Sequence, residues 1–246
     1  MLKHLMLLTG VLCACGDDSG GHVVADAAPH QDASSDASRD APIDSPSCNG
    51  GKTLFLNRAG GTYNASTADD ATLNNTKVLA SGSFAVPAYP YGDGSWSTIK
   101  TCITSQLAPF DVTVTDIDPG TAPHHELVLT TNYAAWPNGN ANVSTISGTN
   151  CPGGLPASGV AFVFAAAYGD LPALTCEAAV AQFAIEITGL DWSLDCHDYL
   201  GQYQAPCGQK VFLDQMINCG ESTPRTCQCG GTAQNSYQTM RTALCN

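Results

Sequence analysis

Side chains that could bind a metal ion lie in and just after the segment AQFAIEITGLDW (181–192). Glu186 and Asp191 lie inside this segment, and His197 and Asp198 follow within a few residues. A catalytic zinc ion takes three protein ligands, usually imidazole or carboxylate groups, and keeps a fourth position for water. Glu186, His197 and one of the two aspartates are therefore candidate ligands for a hydrolytic metal site.

A helix must carry Glu186 if these side chains are to meet. Apolar residues recur at helical spacing between about Leu174 and Thr188, which predicts a helix over that range. Thr175 is the expected N-cap, and Glu177 lies in the predicted first turn, where the helix dipole favours a carboxylate. Gly189 is placed to end the helix, because glycine adopts the left-handed conformation without steric cost.

The other apolar runs predict a mixed domain. The predicted strands are 53–61, 111–118, 125–132 and 159–167, and the other predicted helices are 95–110 and 233–245. Residues 62–94 are rich in Gly, Asn, Asp, Ser and Pro, which predicts a long loop. The order favours the α/β class (α+β), with one mixed sheet and two main helices. A cysteine-rich irregular subdomain is expected to follow from about residue 190 and to end in a helix.

His124 and His125 stand at the start of the third predicted strand. Neighbouring side chains of a strand point to opposite faces of the sheet. The pair is therefore predicted to be a polar strand entry and not a pair of metal ligands.

This order of elements, the position of Gly189 and the cysteine-rich end resemble the metzincin-like zinc metallopeptidases, in particular secreted or lipoprotein members from bacteria. The resemblance covers roughly residues 50–246, and the metzincin-like domain is predicted to span 48–246. In that family the second main helix carries H-E-x-x-H, and a glycine turns the chain toward a third histidine. In this chain Gln182 stands at the position of the first histidine and Phe183 at that of the general-base glutamate. Glu186 stands at the position of the second histidine and Trp192 at that of the third.

The resemblance therefore implies a zinc motif that has lost its chemistry. Phe183 cannot accept a proton from water, and Trp192 has no lone pair to offer a metal. No metal and no other cofactor are expected on this basis. The resemblance implies a catalytically inactive metallopeptidase homologue that acts as a binding module, with a peptide or protein segment in the former cleft.

Two alternatives stay open at the level of the sequence. The first is an active zinc-dependent metalloendopeptidase with a non-standard site, built from Glu186, His197 and either Asp191 or Asp198. The second is a structural or adhesive surface domain unrelated to peptidases, in which Gln182 and Glu186 are a polar pair at i, i+4 on one helix face.

The 12 cysteines indicate disulfides if the chain is exported. The cysteines expected to pair are Cys48, Cys102, Cys151, Cys176, Cys196, Cys207, Cys219, Cys227, Cys229 and Cys245. Spacing does not fix the connectivity of the disulfides. It suggests that Cys196 pairs with Cys207, that Cys219 pairs with Cys227 or Cys229, and that Cys245 pairs with the other of these two. Cys151 and Cys176 are expected to brace the segment before the helix.

The N-terminal sequence MLKHLMLLTGVLCAC (1–15) predicts an export signal. A basic start precedes a short apolar run, and Leu12-Cys13-Ala14-Cys15 resembles a bacterial lipobox. Cys15 is then the expected lipidation site, with an ordinary cleaved signal peptide as the alternative. The chain is therefore predicted to be an exported lipoprotein of the outer membrane, on its periplasmic face or at the cell surface.

Residues 16–47 are dominated by Asp, Ala, Ser and Pro and show no apolar period. Such a stretch predicts a disordered acidic tether between the lipid and the folded domain. The net charge of -13 argues against nucleic acid as a partner, because phosphate contacts need clustered Lys and Arg. We expect a monomer that touches the membrane through its N-terminal lipid alone.

Overall fold

The computed structural model describes residues 51–137, 143–148, 150–151, 156–201 and 207–245. These residues belong to one compact unit, Ser45–Asn246. The predicted export signal, the tether, Cys15 and Cys48 lie outside the described residues.

The regular elements alternate between strands and helices along the chain. The strands are β1 (Lys52–Asn57), β2 (Gly61–Ala65), β3 (Asn75–Thr76), β4 (Ser83–Val86), β5 (Val112–Thr115), β6 (His125–Thr130), β7 (Thr145–Ser147), β8 (Val160–Phe164), β9 (Ile217–Asn218) and β10 (Ala233–Gln234). The α-helices are α1 (Asp93–Leu107), α2 (Pro172–Thr188) and α3 (Ser236–Leu244). Short 3-10 turns lie at Ala71–Leu73, Ala108–Phe110, Tyr133–Ala135 and Ala165–Ala167.

The main sheet has five strands in the order β5-β1-β6-β8-β7. The first four run parallel, and β7 pairs antiparallel with β8 at the edge of the sheet. The predicted mixed sheet with two main helices is thus confirmed. The short edge strand β7 was not predicted, because its three residues are too few to show an alternating pattern.

Helices α1 and α2 cover one face of the sheet. Inward residues of the strands, such as Leu54, Leu127 and Val163, pack there against Ile99 of α1 and Val180 of α2. The opposite face carries a second core around Tyr63, Val128, Trp136, Phe162 and Phe164. The fold therefore has two apolar layers, one on each side of the main sheet.

The predicted long loop at 62–94 is wrong. This segment contains most of a three-stranded sheet in the order β3-β2-β4 and the first two residues of α1. Its strands have two to five residues and bury single side chains, such as Tyr63 and Val86, so no repeating apolar pattern marks them.

Helix α2 begins earlier than predicted. Pro172 takes the first helical position and Leu171 is the N-cap, so the N-cap assignment of Thr175 is wrong. Thr175 lies inside the helix, where its hydroxyl donates to the Leu171 carbonyl. The first turn holds no acidic residue, and Glu177 instead approaches Lys210.

The C-terminal region is held by disulfides, as predicted. The described pairs are Cys102–Cys176, Cys151–Cys229, Cys196–Cys207 and Cys219–Cys227, and Cys245 is also disulfide-bonded. Two suggested pairs are correct. Cys151 bonds Cys229 and not Cys176, and Cys229 is therefore not the partner of Cys245. Cys102–Cys176 and Cys151–Cys229 join residues 74 and 78 positions apart, which spacing cannot reveal.

The number of disulfides suggests an extracytoplasmic protein. Within the described ranges, no helix is long and apolar enough to cross a membrane.

Candidate functional site

The C-terminal half of α2 is buried on all sides, so its polar residues point into packed surroundings. Gln182 and Glu186 are 4% and 1% exposed. Gln182 Nε2 donates to the Ser147 hydroxyl on β7 at 2.5 Å. Phe183 packs in the helix-side core, with its ring edge toward His125 at a centroid distance of 6.0 Å. Helix α2 thus directs Gln182 toward β7 and Phe183 into the core beneath the sheet.

A cleft of about 200 Å³ lies between β7, α2 and the loop that follows Gly189. Its lining consists of Thr145, Ile146, Ser147, Gln182, Ile185, Asp191, Trp192 and Gln228. Trp192 is half-buried and packs against the helix-side core. Phe183 does not line the cleft, so the open space beside β7 remains.

Gly189 ends α2 as predicted, with a φ of 71° in the left-handed region. A Cβ atom at this position would overlap the backbone carbonyl of Asn150 and lie 2.9 Å from Cys229 Sγ. The chain therefore needs glycine here for two reasons, its backbone angle and the close approach of Asn150.

Asp191 is a structural ion-pair partner and is not placed to bind a metal. Its carboxylate pairs with both terminal nitrogens of Arg225 and accepts the backbone N–H groups of Trp192 and Gln228, each at 2.7 Å. Burial alone would raise the pKa of Asp191, but Arg225 and the two backbone donors hold it below its usual value. The carboxylate thus fixes the loop that forms one wall of the cleft.

We expect Asp191→Asn to lower the free energy of unfolding by about 2 kcal/mol, because it leaves buried donors facing an amide group. Glu221→Gln is the matched control, since Glu221 binds the same Arg225 at the surface and should cost less than about 1 kcal/mol. Urea denaturation of both variants measures the difference. Equal costs would show that the Asp191 contacts do not hold the loop.

Glu186 lies in a buried polar cluster behind the cleft. Its Oε1 accepts from Asn150 Nδ2 at 3.1 Å, and its Oε2 has no hydrogen-bond partner among the described residues. Burial raises the pKa of Glu186 to about 9, and the nearby Asp69 carboxylate adds to this, while Ser147, Lys77 and Asn150 act in the opposite direction. The carboxyl group is therefore protonated at neutral pH.

The candidate metal ligands are not brought together. Within the described residues, the group of potential ligand atoms lying within 4.8 Å of one another is Asp195, Cys196 and His197. Cys196 is in a disulfide, so its sulfur is no thiolate, and His197 is exposed beside Asp195 at 3.1 Å. Asp198 is buried, and its oxygens accept from Leu200 N, Leu213 N and Ser236 Oγ.

The residues at the positions that the resemblance assigns to a zinc motif therefore do not fit a catalytic zinc ion. Gln182 already binds Ser147, Glu186 is buried and protonated, and Trp192 offers no lone pair. Phe183 at the general-base position lies in the core. No hydrolytic step can be derived from this set of side chains.

A second polar pocket of about 270 Å³ lies on the other face of the sheet and was missed from the sequence. Glu126 lines it and is 3% exposed; its Oε1 accepts from Tyr63 and Asn57, while its Oε2 has no partner among the described residues. Burial raises the pKa of Glu126. His124 also lines this pocket. A glutamate inside the apolar run HELVLT was the available signal.

His124 and His125 lie on opposite faces of the sheet, as predicted. His124 borders the second pocket beside Phe55, whereas His125 faces α2 and accepts the Gly159 N–H at its Nδ1. Both lie where β6 begins, and both are buried. The neighbouring α2 and the loop at Gly159 cover His125.

Comparison with protein-family models, with curated proteins and with solved structures finds no match for this chain.

Proposed function

We propose that this chain is a metallopeptidase-like binding domain of the cell envelope, without catalytic activity, that holds an extended peptide in the cleft beside β7. The observation that carries the proposal is the position of β7. It is the antiparallel edge strand of the main sheet, and its three residues line the cleft that also contains Gln182 and Trp192.

The ladder between β7 and β8 shows which backbone groups of β7 face the cleft. Phe164 N donates to Ser144 O, so Ser144 and Ile146 direct their backbone groups toward β8. The N–H and C=O groups of Thr145 and Ser147 therefore point to the open edge. An extended peptide added as a new strand would pair with them.

The cleft also supplies contacts for side chains of such a peptide. The Trp192 ring gives a broad apolar wall, and the Gln182 amide lies where alternate side chains of an added strand would reach. Gln228 is held in place because its side-chain amide donates to the carbonyls of Gly189 and Leu190. A rigid wall reduces the entropy lost on binding.

The lack of catalysis in this proposal is supported by the side chains at the motif positions. A peptidase needs an activated water molecule and a base beside it. Phe183 lies in the core and Glu186 is turned toward Asn150, so neither is available to a peptide in the cleft. We expect a bound peptide to dissociate without being cleaved.

Thr145→Pro tests the role of the open edge. Proline removes the outward N–H of Thr145 and leaves the bonds between β7 and β8 in place. We expect peptide binding to weaken about tenfold or more. The probe is a fluorescent peptide selected from a random library, followed by anisotropy.

Thr145→Val is the matched control, because it keeps the N–H and removes the hydroxyl group. It should bind like the unaltered chain. If Thr145→Pro bound the selected peptide as tightly as Thr145→Val, strand addition at β7 would be wrong.

A further inference from the structure

Three polar side chains from distant parts of the chain meet behind the cleft. Lys77 directly follows β3, Asn150 lies in the segment after β7, and Glu186 comes from α2. Lys77 and Asn150 are 73 residues apart in sequence. None of the three lines the proposed peptide cleft. Their arrangement therefore requires an explanation of its own.

The contacts order the three groups in a line. Lys77 Nζ is in hydrogen-bond contact with Asn150 Oδ1, and Asn150 Nδ2 donates to Glu186 Oε1 at 3.1 Å. Since a C=O bond is about 1.2 Å long, the amine nitrogen lies within roughly 4 Å of the amide carbon Cγ. Rotating the amide by half a turn would set two donors, Nζ and Nδ2, against each other. The amide carbon thus faces an amine on one side and a carboxyl group on the other.

Burial separates Asn150 and Glu186 from bulk water, whereas Lys77 is partly exposed. Asn150 is 6% exposed and Glu186 is 1% exposed. Glu186 Oε2 has no hydrogen-bond partner among the described residues. A carboxyl group in such a position is stabilised in its protonated form, and it can then act as an acid.

Two glycines leave the space that Lys77 and Glu186 occupy. A Cβ atom on Gly148 would overlap the Lys77 side chain and lie 2.8 Å from Asp69 Oδ2. A Cβ atom on Gly159 would lie 2.7 Å from Glu186 Oε1. Any larger residue at either position would push the reacting groups apart.

Asn150 itself is held from both sides. Its backbone carbonyl lies against Gly189, and the next residue, Cys151, is bonded to Cys229. Its Nδ2 also contacts the backbone carbonyls of Glu186 at 3.3 Å and Gly148 at 3.4 Å. Fixing two reacting groups at near-contact distance replaces a slow bimolecular reaction by a fast intramolecular one.

We propose that Lys77 and Asn150 join in an intramolecular isopeptide bond, with Glu186 as the catalytic acid. The lone pair of the neutral Lys77 amine attacks Cγ of Asn150, so the Nζ–Cγ bond forms. The Cγ–Nδ2 bond then breaks, and Nδ2 leaves as ammonia. One proton passes from the attacking nitrogen to the leaving nitrogen through the Glu186 carboxyl group. The reaction needs no oxidant and no cofactor.

Asp69 is placed to accept the proton that the lysine ammonium group must lose first. Its Oδ1 accepts from Thr76 Oγ1 and from the backbone N–H of Lys77, each at 3.0 Å. Asp69 Oδ2 and the end of the Lys77 side chain lie beside Gly148, because a Cβ atom on Gly148 would be 2.8 Å from Asp69 Oδ2 and would overlap Lys77 Cε. Asp69 is therefore a positioning residue and a local base for Lys77, and its proton is released with the ammonia as ammonium.

The experiment is peptide mapping of the full chain as it is purified. The chain is reduced and alkylated to remove the disulfides, digested, and analysed by tandem mass spectrometry. We expect a branched peptide that joins Lys77 to Asn150 and weighs less than the two unlinked peptides together by one ammonia, about 17 Da. A digest of the unaltered chain that contains both residues in separate, unlinked peptides overturns the proposal.

Glu186→Gln tests the assigned acid. Glutamine keeps the size of the side chain but cannot relay the proton, so the branched peptide should fall at least tenfold. Glu177→Gln on the same helix, at a partly exposed position, should leave the link intact. Lys77→Arg should abolish the link, and Lys52→Arg should not. A full yield of linked peptide in Glu186→Gln would refute the catalytic role of Glu186.

Discussion

Replacing Gly189 by alanine is expected to lower the free energy of unfolding by about 3 kcal/mol. An alanine in the left-handed conformation costs roughly 1 kcal/mol, and forcing a methyl group into a packed contact adds roughly 1–3 kcal/mol. The added Cβ would meet the Asn150 carbonyl and Cys229 Sγ, both of which are fixed by the Cys151–Cys229 disulfide. The end of α2 and one wall of the cleft would therefore have to move.

Gly169→Ala separates the two contributions. Gly169 has nearly the same backbone angle, a φ of 66°, but a Cβ atom there would meet nothing within 4 Å. It should cost about 1 kcal/mol, from the backbone angle alone. Chemical denaturation of both variants gives the comparison, and equal losses would show that the close approach of Asn150 has no energetic effect.

The second large effect is a loss of stability in acid that depends on His125. Burial lowers the pKa of His125 to about 4, and the charges of Lys52 and His124 act in the same direction. The unfolded chain keeps a value near 6.5 and therefore binds a proton at a higher pH than the folded chain does. Stability from this group is complete above about pH 6.5 and is lost as the pH falls toward 4, by about 3 kcal/mol in total.

His125→Asn is the variant that isolates this contribution. Its Oδ1 can accept the Gly159 N–H that Nδ1 accepts in the native chain, and it does not titrate. The unfolding free energy of the native chain minus that of the variant should fall by about 3 kcal/mol between pH 7 and pH 4. A difference that stays constant across this range would mean that His125 is not buried as a neutral ring.

The long elements of the fold were predictable because each buries several residues with a regular period. Helix α1 shows Trp96, Ile99, Ile103 and Leu107 on one face, and all four are buried. The strand at Val160–Phe164 is buried on both faces, and its sequence is a continuous apolar run. The small sheet of β2, β3 and β4 was missed because it depends on contacts with distant residues and not on its own pattern.

The end of helix α2 and the absence of a base at Phe183 were also predictable, but the contacts of the buried carboxyl groups were not. Gly189 marked the end of α2, and Phe183 indicated the absence of a base at the position implied by the family resemblance. The surroundings of Glu186 could not be predicted, because Lys77 and Asn150 reach it from other parts of the chain. The same holds for Glu126, whose partners Asn57 and Tyr63 are 69 and 63 residues away.

The two proposals can fail separately because they use different atoms. Peptide capture depends on the outward backbone groups of Thr145 and Ser147. The isopeptide bond depends on Lys77, Asn150 and Glu186, none of which lines the cleft. A chain that carries the link and binds no peptide would support the isopeptide bond and contradict peptide capture. A chain that binds peptide and carries no link would support peptide capture and contradict the isopeptide bond.

The central claim is that the cleft beside β7 holds an extended peptide and does not cut it. The most direct measurement is retention of a synthetic random library, with peptides of about six residues, on the immobilised full chain. The retained peptides are sequenced by mass spectrometry with and without a metal chelator. We expect intact peptides in equal amounts under both conditions, and their loss with Thr145→Pro. Retention no greater than that of Thr145→Pro, or peptides cut only when the chelator is absent, would contradict it.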